Sequence, residues 1–172
     1  MKETDYYQCY EKIVEQLKQG AFLTVQNKNG IVNTMTIAWG TMGYMWRKPV
    51  FTVMVRKSRY THELLENADS FTVSFPLKGQ LKQELSICGT KSGRDMDKFK
   101  ECNLAMLKSN KVETPVIKEC DLHLECKIVY KQSMEPTLMN EEIIKVYGDE
   151  KDYHTLYYGE VLSCCAKEDI NL

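Results

Sequence analysis

From Leu122 the chain alternates: Leu122, Leu124, Cys126, Ile128 and Tyr130 interleave with His123, Glu125 and Lys127. Successive side chains of a strand point to opposite faces, so this period of two specifies a long half-buried strand with its polar set toward solvent. His123 on this reading is solvent-facing or paired across strands. Further strands are expected at Ile143 to Tyr147 and Thr155 to Ala166, joined by an exposed turn from Gly148 to Asp152. Parallel neighbours need a crossover of a dozen or more residues, usually a helix, and this half of the sequence offers none. The chain is directed toward a mainly β architecture with inserted helices, about six or seven antiparallel strands closed into a barrel, rather than a parallel doubly wound sheet.

The first half supplies the rest of the elements. Residues 5 to 19 place Tyr6, Cys9, Tyr10, Ile13, Val14 and Leu17 on one helical face, and Gly20 stops the helix. Ala21 to Gln26 and Ile31 to Trp39 read as a hairpin around the turn Asn27-Lys28-Asn29-Gly30. Thr41 to Pro49 reads as a loop whose bulky Tyr44, Met45 and Trp46 cover something or pack across an interface. Val50 to Val55 is a short apolar strand, Tyr60 to Ala68 a helix with Leu64 and Leu65 inward, and Phe71 to Phe75 a strand ended by Pro76. Helices are expected at Leu77 to Ile87 and Asp95 to Cys102, separated by a glycine-bearing basic turn. No repeat, linker or composition shift divides residues 1–172, so a single domain is expected, large enough to bury a core.

Charge and cysteine usage narrow the function classes. Lys+Arg 23 against Asp+Glu 24 gives a formal net charge of -1, with no overall field to recruit nucleic acid or an anionic membrane. The start lacks the apolar stretch of a signal peptide, and no apolar run approaches the roughly 20 residues that cross a bilayer, so a cytoplasmic protein is expected. The seven cysteines, at positions 9, 88, 102, 120, 126, 164 and 165, lack zinc-type spacing and read as reduced thiols. Cys164 and Cys165 would project to opposite faces of a strand. The three histidines have no metal spacing either.

Four segments carry chemistry. On the strand from Asn33, one face holds Asn33, Met35, Ile37 and Trp39 and the other Thr34, Thr36 and Ala38, so neither is wholly apolar. It is either an edge strand with threonines in water or the wall of a site for a flat, polar-edged ligand. Arg56-Lys57-Ser58-Arg59-Tyr60-Thr61 gathers cations and hydroxyls at an expected helix start, which suits a phosphate; a solvated turn with Thr61 as N-cap is the alternative. Thr90-Lys91-Ser92-Gly93-Arg94-Asp95 is a second such turn, with Ser92 or Asp95 as its cap and glycines that allow close backbone approach. It lacks the ending of a P-loop. His62 is expected at the surface, and His154 at the start of the last strand is either structural or a proton donor at a ligand's reactive edge.

Three of these stretches are matched together in one family. The run from Asn33 to Phe75, the segment Cys88-Gly89-Thr90-Lys91-Ser92-Gly93-Arg94-Asp95-Met96-Asp97-Lys98-Phe99 and the segment His154-Thr155-Leu156-Tyr157-Tyr158-Gly159-Glu160-Val161 resemble the flavin reductase-like family, which includes flavoredoxins. The resemblance covers most of the chain in matching order. It implies a six-stranded antiparallel split β-barrel that binds FMN, and a homodimer with the site near the subunit interface. It also implies that Asn33, Thr34, Met35, Thr36 and Trp39 border the isoalloxazine, while Arg56, Ser58 and Thr61 hold the phosphate end with Lys57 and Arg59 beside them. Ser92, Gly93, Arg94 and Lys98 would lie close to the flavin, Lys98 or Arg94 facing its N1 and C2 carbonyl end, with His154 as the catalytic candidate. Relatives include reductases using NADH or NADPH and electron carriers served by a redox protein partner. The implied function is an FMN-dependent oxidoreductase, with a flavoredoxin-like carrier or a non-enzymatic module for a phosphorylated ligand as alternatives.

Overall fold

The computed structural model describes residues 1–170. The first half contains β1 (Lys2–Glu3), α1 (Tyr10–Leu17), β2 (Ala21–Gln26), β3 (Val32–Ile37), β4 (Gly40–Met45), β5 (Lys48–Arg56), α2 (Tyr60–Leu65) and β6 (Ser70–Phe75). The second contains α3 (Lys82–Thr90), α4 (Lys98–Glu101), β7 (Met106–Leu107), β8 (Val116–Ile117), β9 (Leu122–Ser133), α5 (Glu141–Tyr147) and β10 (His154–Ala166). The main sheet runs β3-β2-β6-β9-β10-β5-β4, with β1 on the far end of β10, and β7 pairs β8 separately. Every pairing is antiparallel.

The fold is thus mainly antiparallel sheet with a few helices, and the sheet has eight strands in an open path rather than six closed into a ring. Among the described residues β3 and β4 are not paired to each other. Part of the difference lies in residues 41–49, expected as a loop, which form the body of the β4–β5 hairpin. Its turn places Trp46 and Arg47 at φ 52° and 61°. Positive φ at both central positions matches the twist of hairpin strands, but the sequence lacks the Asn-Gly or Asp-Gly signature that usually announces it.

β9 is buried on both faces along its first half, contrary to the half-solvated strand its alternation suggests. His123 and Glu125 are 2% and 3% exposed. The apolar face joins the main core with Phe51, Phe71, Phe75 and Tyr157. Over the opposite side of the sheet a smaller core gathers Phe22, Leu85, Cys88, Cys102, Leu104, Ile117 and Cys120. Each fully buried phenylalanine contributes about 1.5–3 kcal/mol. Both polar side chains find protein partners, though His123 Nε2 is left without one: Glu125 accepts from the backbone N–H groups of Asn110 and Lys111, and His123 Nδ1 lies 3.0 Å from Ser74 Oγ. Burial holds His123 down to about 4. Gly159 permits a close crossing: a Cβ there would stand 2.5 Å from the Phe71 ring and 2.6 Å from Cys126 Cβ, beside the register shift at Tyr158/Gly159.

Other elements shift for identifiable reasons. Residues 143–147, expected as a strand, are the helix α5. Asn140 caps it by accepting from the Ile143 N–H at 3.0 Å, two glutamates occupy its first turn, and Gly148 ends it at φ 55°. At the N-terminus a 3-10 turn, Tyr6–Cys9, precedes α1. Its tighter winding changes the phase of the helical stripe, so Tyr6, Cys9, Ile13 and Leu17 are buried while Tyr10 is exposed. The helix expected from Leu77 begins only at Lys82, because Leu81 is left-handed at φ 60°. All seven cysteines are buried free thiols. Cys164 packs against Cys9, whereas Cys165 lies beside Ser163 and Asn110.

Candidate functional site

The edge strand β3 is flanked by a groove whose walls come from both basic turns and from the start of β10. Inward-facing Thr34 is spent on the sheet: it accepts from Thr24 Oγ1 and donates to the Leu23 carbonyl, both at 3.2 Å. Thr36 Oγ1 donates to the Leu85 carbonyl at 2.5 Å, which fastens α3 to the strand. Asn33 Nδ2 donates to Thr61 Oγ1 at 2.9 Å, linking the strand to α2. Thr61 is therefore a buried acceptor and not the N-cap; Arg59 occupies that position without a side-chain cap bond.

The first turn is not open along its whole length. Ser58 donates its backbone N–H (3.2 Å) and its Oγ–H (2.6 Å) to the carboxylate of Asp152. Its hydroxyl is held by an internal anion. Arg56 faces the other end of the groove, pairing with His154 across β5 and β10, its guanidinium 5.6 Å from the Tyr147 ring centre. Lys57 is exposed and lines neither groove cavity.

The second turn is packed more tightly. A Cβ on Gly93 would stand 2.1 Å from Asn33 Oδ1 and 2.8 Å from its Cγ, so only glycine fits against β3 there. Ser92 Oγ accepts from the Arg94 N–H, whereas the cap of α4 is Asp97, which accepts from Phe99 and Lys100. Arg94 is paired with Glu63 at 2.9 Å and stacks 5.1 Å from the centre of the Tyr60 ring. Lys98 is 4% exposed and donates to the carbonyls of Thr34 (3.0 Å) and Cys88 (2.8 Å). Burial pushes its pKa down. Among the described residues Arg59, Lys91 and Lys98 have no carboxylate within ion-pairing distance.

Two cavities meet along this strand. One, of about 180 Å³, is lined by Met35, Thr36, Trp39, Met54, Arg56, Arg59 and His154. The other, of about 150 Å³, is lined by Asn33, Met35, Ser58, Arg59, Thr61, Lys91, Ser92, Gly93, Arg94 and Lys98, among others. Met35 and Arg59 border both. The structure thus gathers the expected residues around one groove, except Thr34, which faces the sheet, and Lys57, which faces solvent. A broader cavity of about 480 Å³ adjoins through Asn33, Tyr60, Gly93, Arg94 and Lys98. A cavity of about 610 Å³ lies elsewhere, around Lys28, Lys108, Lys111 and Glu113, and has no aromatic ring in its wall.

The aromatic end of the groove sets a half-exposed ring beside a buried histidine. Trp39 is 45% exposed, and its ring lies 5.2 Å from that of His154. His154 is held down to about 4 by burial first and by Arg56 second. Sequence reasoning missed Asp152 and Tyr147, both in the excursion between β9 and β10. The capping pattern of Asn140, Glu141 and Glu142 was the available signal that this excursion is helical. His62, expected at the surface, is partly buried, with Nε2 3.1 Å from Thr155 Oγ1. Among the described residues no cluster of three or more His, Cys, Asp or Glu side chains could hold a metal, and no helix is long and apolar enough to cross a membrane.

This arrangement has relatives. Residues 18–171 match the family described as flavin reductase like domain. The chain belongs to that family. An uncharacterized protein of Archaeoglobus fulgidus is 32% identical to this flavin reductase-like domain over 130 residues, 76% of this chain and 63% of the relative, so the chain spans less than two thirds of that relative's length. Among solved structures, the flavoredoxin from Methanosarcina acetivorans is 26% identical with a TM-score of 0.68, covering 89% of this chain and 70% of that one. The FMN-binding domain of a flavin reductases-like enzyme from Shewanella baltica is 22% identical with a TM-score of 0.70, covering 96% and 76%. This last likeness is one of fold.

Proposed function

We propose that the chain is an FMN-binding oxidoreductase that passes electrons from NADH, NADPH or a protein donor to an acceptor or partner. The observation that carries the reading is the pair of joined cavities. Each is smaller than the roughly 300–1,000 Å³ of an ordinary ligand site, so a ligand that fills them must span both, flat at the Trp39 end and anionic at the Arg59–Lys98 end. FMN has that form. Bound there, it would supply the hydride and electron chemistry.

On this reading the chain's own residues bind and orient. Asn33, Met35, Thr36 and Trp39 border the ring system, with Gly93 letting the second turn come close to the strand. Arg59, Lys91, Ser92 and Lys98 face the phosphate-bearing end, and Arg56 guards the junction with His154. Ser58 contributes through its hold on Asp152, and Arg94 through Glu63 and Tyr60, so both shape the wall more than they neutralise an anion. Lys98, buried without a carboxylate, favours negative charge at that end. No side-chain nucleophile is needed.

The reading extends to split-barrel closure of the sheet, a cytoplasmic location and a homodimer joined through the exposed β4–β5 tip. There Trp46 lies 6.0 Å from both Tyr130 and Tyr158, a ring cluster suited to an interface. A second reading, an electron carrier without its own nicotinamide activity, is favoured by the likeness to the Methanosarcina flavoredoxin. Anaerobic titration of the FMN-loaded protein with NADH and NADPH separates them. Bleaching of the flavin absorbance by either nicotinamide supports the reductase; bleaching only by a reduced redox protein or dithionite supports the carrier. Failure of the protein to retain or take up FMN overturns both.

A further inference from the structure

His154 lines the Trp39 end of the groove and is 7% exposed. Its Nδ1 lies 2.8 Å from the hydroxyl of Tyr147, the one side-chain hydrogen bond its ring makes among the described residues. Tyr147 is 4% exposed and comes from α5, outside the stretches that carry the family resemblance. The same hydroxyl lies 3.1 Å from Met134 Sδ. A phenol has one proton, so it donates to one of these two acceptors.

Two considerations decide which. A thioether is a weak acceptor, while an unprotonated imidazole nitrogen is a strong one. Burial keeps the proton on the Tyr147 phenol, and the guanidinium of Arg56, 5.6 Å from the ring centre, pulls the other way and favours its donation in a hydrogen bond. Burial and Arg56 keep His154 neutral at pH 7, so one of its ring nitrogens carries no proton. We propose that Tyr147 is a positioning residue: by donating its hydroxyl proton to Nδ1 it fixes His154 as the Nε2–H tautomer and presents a hydrogen-bond donor to the cavity between Trp39 and Arg59.

That donor selects what the aromatic end accepts. A carbonyl oxygen or an unprotonated ring nitrogen is favoured there, and a group that can only donate is disfavoured. Assigning the acceptor atom to the isoalloxazine, or to a molecule stacked on it, rests on the FMN reading; the tautomer does not.

The test is long-range ¹H–¹⁵N correlation of the imidazoles in flavin-free protein at pH 7, with His154 identified by the resonances lost in His154→Gln. Expected for the wild type is a protonated Nε2 and a bare Nδ1, and for Tyr147→Phe a shift of population toward Nδ1–H. A wild-type Nδ1–H tautomer, or a Tyr147→Phe spectrum that keeps the wild-type tautomer, overturns the proposal. Should Tyr147→Phe not fold, Met134→Leu decides: with only the competing sulfur removed, His154 must stay Nε2–H, and conversion to Nδ1–H overturns the assignment. A wild type that shows the Nε2–H tautomer and takes up no FMN supports the role of Tyr147 while overturning the FMN reading.

Discussion

The two turns that frame the groove are written in the same residue types, basic and hydroxyl-bearing with an aromatic or glycine among them, yet they are built differently. In the first, from Arg56 to Thr61, the hydroxyls are engaged within the protein: Ser58 holds Asp152 and Thr61 accepts from Asn33. In the second, from Ser92 to Lys98, the backbone is pressed against Asn33 at Gly93, and Lys98 is buried on two carbonyls without a carboxylate. The first turn ties down the β9–β10 excursion, while the second forms a rigid cationic wall. Residue type announces that a turn can hold an anion; the neighbours decide whether it is free to.

The largest effect should fall on the rigid wall. Gly93→Ala is expected to cost about 3 kcal/mol, near the top of the range for overpacking, because Asn33 cannot give way without releasing Thr61. Gly43→Ala, with open space around its Cβ, serves as the control. Thermal unfolding of the two variants makes the comparison, and a Gly93→Ala protein as stable as Gly43→Ala would break it. Lys98→Met should follow, at about 2 kcal/mol for leaving the Thr34 and Cys88 carbonyls without a donor, with FMN affinity falling roughly tenfold. Denaturant unfolding and flavin titration measure the two effects, and unchanged affinity would remove Lys98 from the site.

The pH dependence probes the start of β10 beside the first turn. His154 and His123 are both held down to about 4 from an ordinary 6.5, so between those values the unfolded chain binds protons that the folded chain refuses. Stability is therefore full above about pH 6.5 and falls as pH drops toward 4, by up to about 1.4 kcal/mol per pH unit for each histidine. His154→Gln should reduce that slope in pH-resolved unfolding; an unaltered slope would mean that His154 titrates normally. The smallest effect belongs to the first turn. Ser58→Ala, which removes an exposed tie to Asp152, should cost about 0.5 kcal/mol and change FMN affinity less than Lys98→Met does. An equal or larger loss of affinity would reverse the roles assigned to the two turns.

Much of the sheet was legible because its signal is local. The hairpin of β2 and β3, the apolar run of β5 and the alternation in β6 and β9 all follow from periodicity and turn residues. What was not legible depended on distant neighbours. Glu125 read as solvent-facing because its partners, Asn110 and Lys111, sit on another segment, whereas His123 takes the cross-strand pairing that its strand allowed, with Ser74 of β6, and is buried there. The β4–β5 turn uses Trp46 and Arg47 at positive φ, which tertiary packing permits and composition does not suggest. Ile143 to Tyr147 has strand-like β-branching, and the caps at Asn140 and Gly148 overrode it.

The site was legible to a similar depth. Spacing and residue type located the strand and both turns, and the structure gathers most of the named side chains around one groove. They could not show that Thr34 faces the sheet, that Lys57 points to solvent or that Ser58 is already held by Asp152. Each of those outcomes is set by which face or partner the fold assigns, not by the residue itself.

The claim on which the rest depends is that the groove between the two turns binds FMN through its cationic wall. Equilibrium titration of flavin-free protein with FMN, followed by flavin fluorescence, for the wild type, Lys98→Met and Arg59→Ala tests it most directly. Saturable uptake of one FMN per chain by the wild type, weakened in both variants, is the expected result. No saturable uptake by the wild type, or uptake undiminished in both variants, would contradict it.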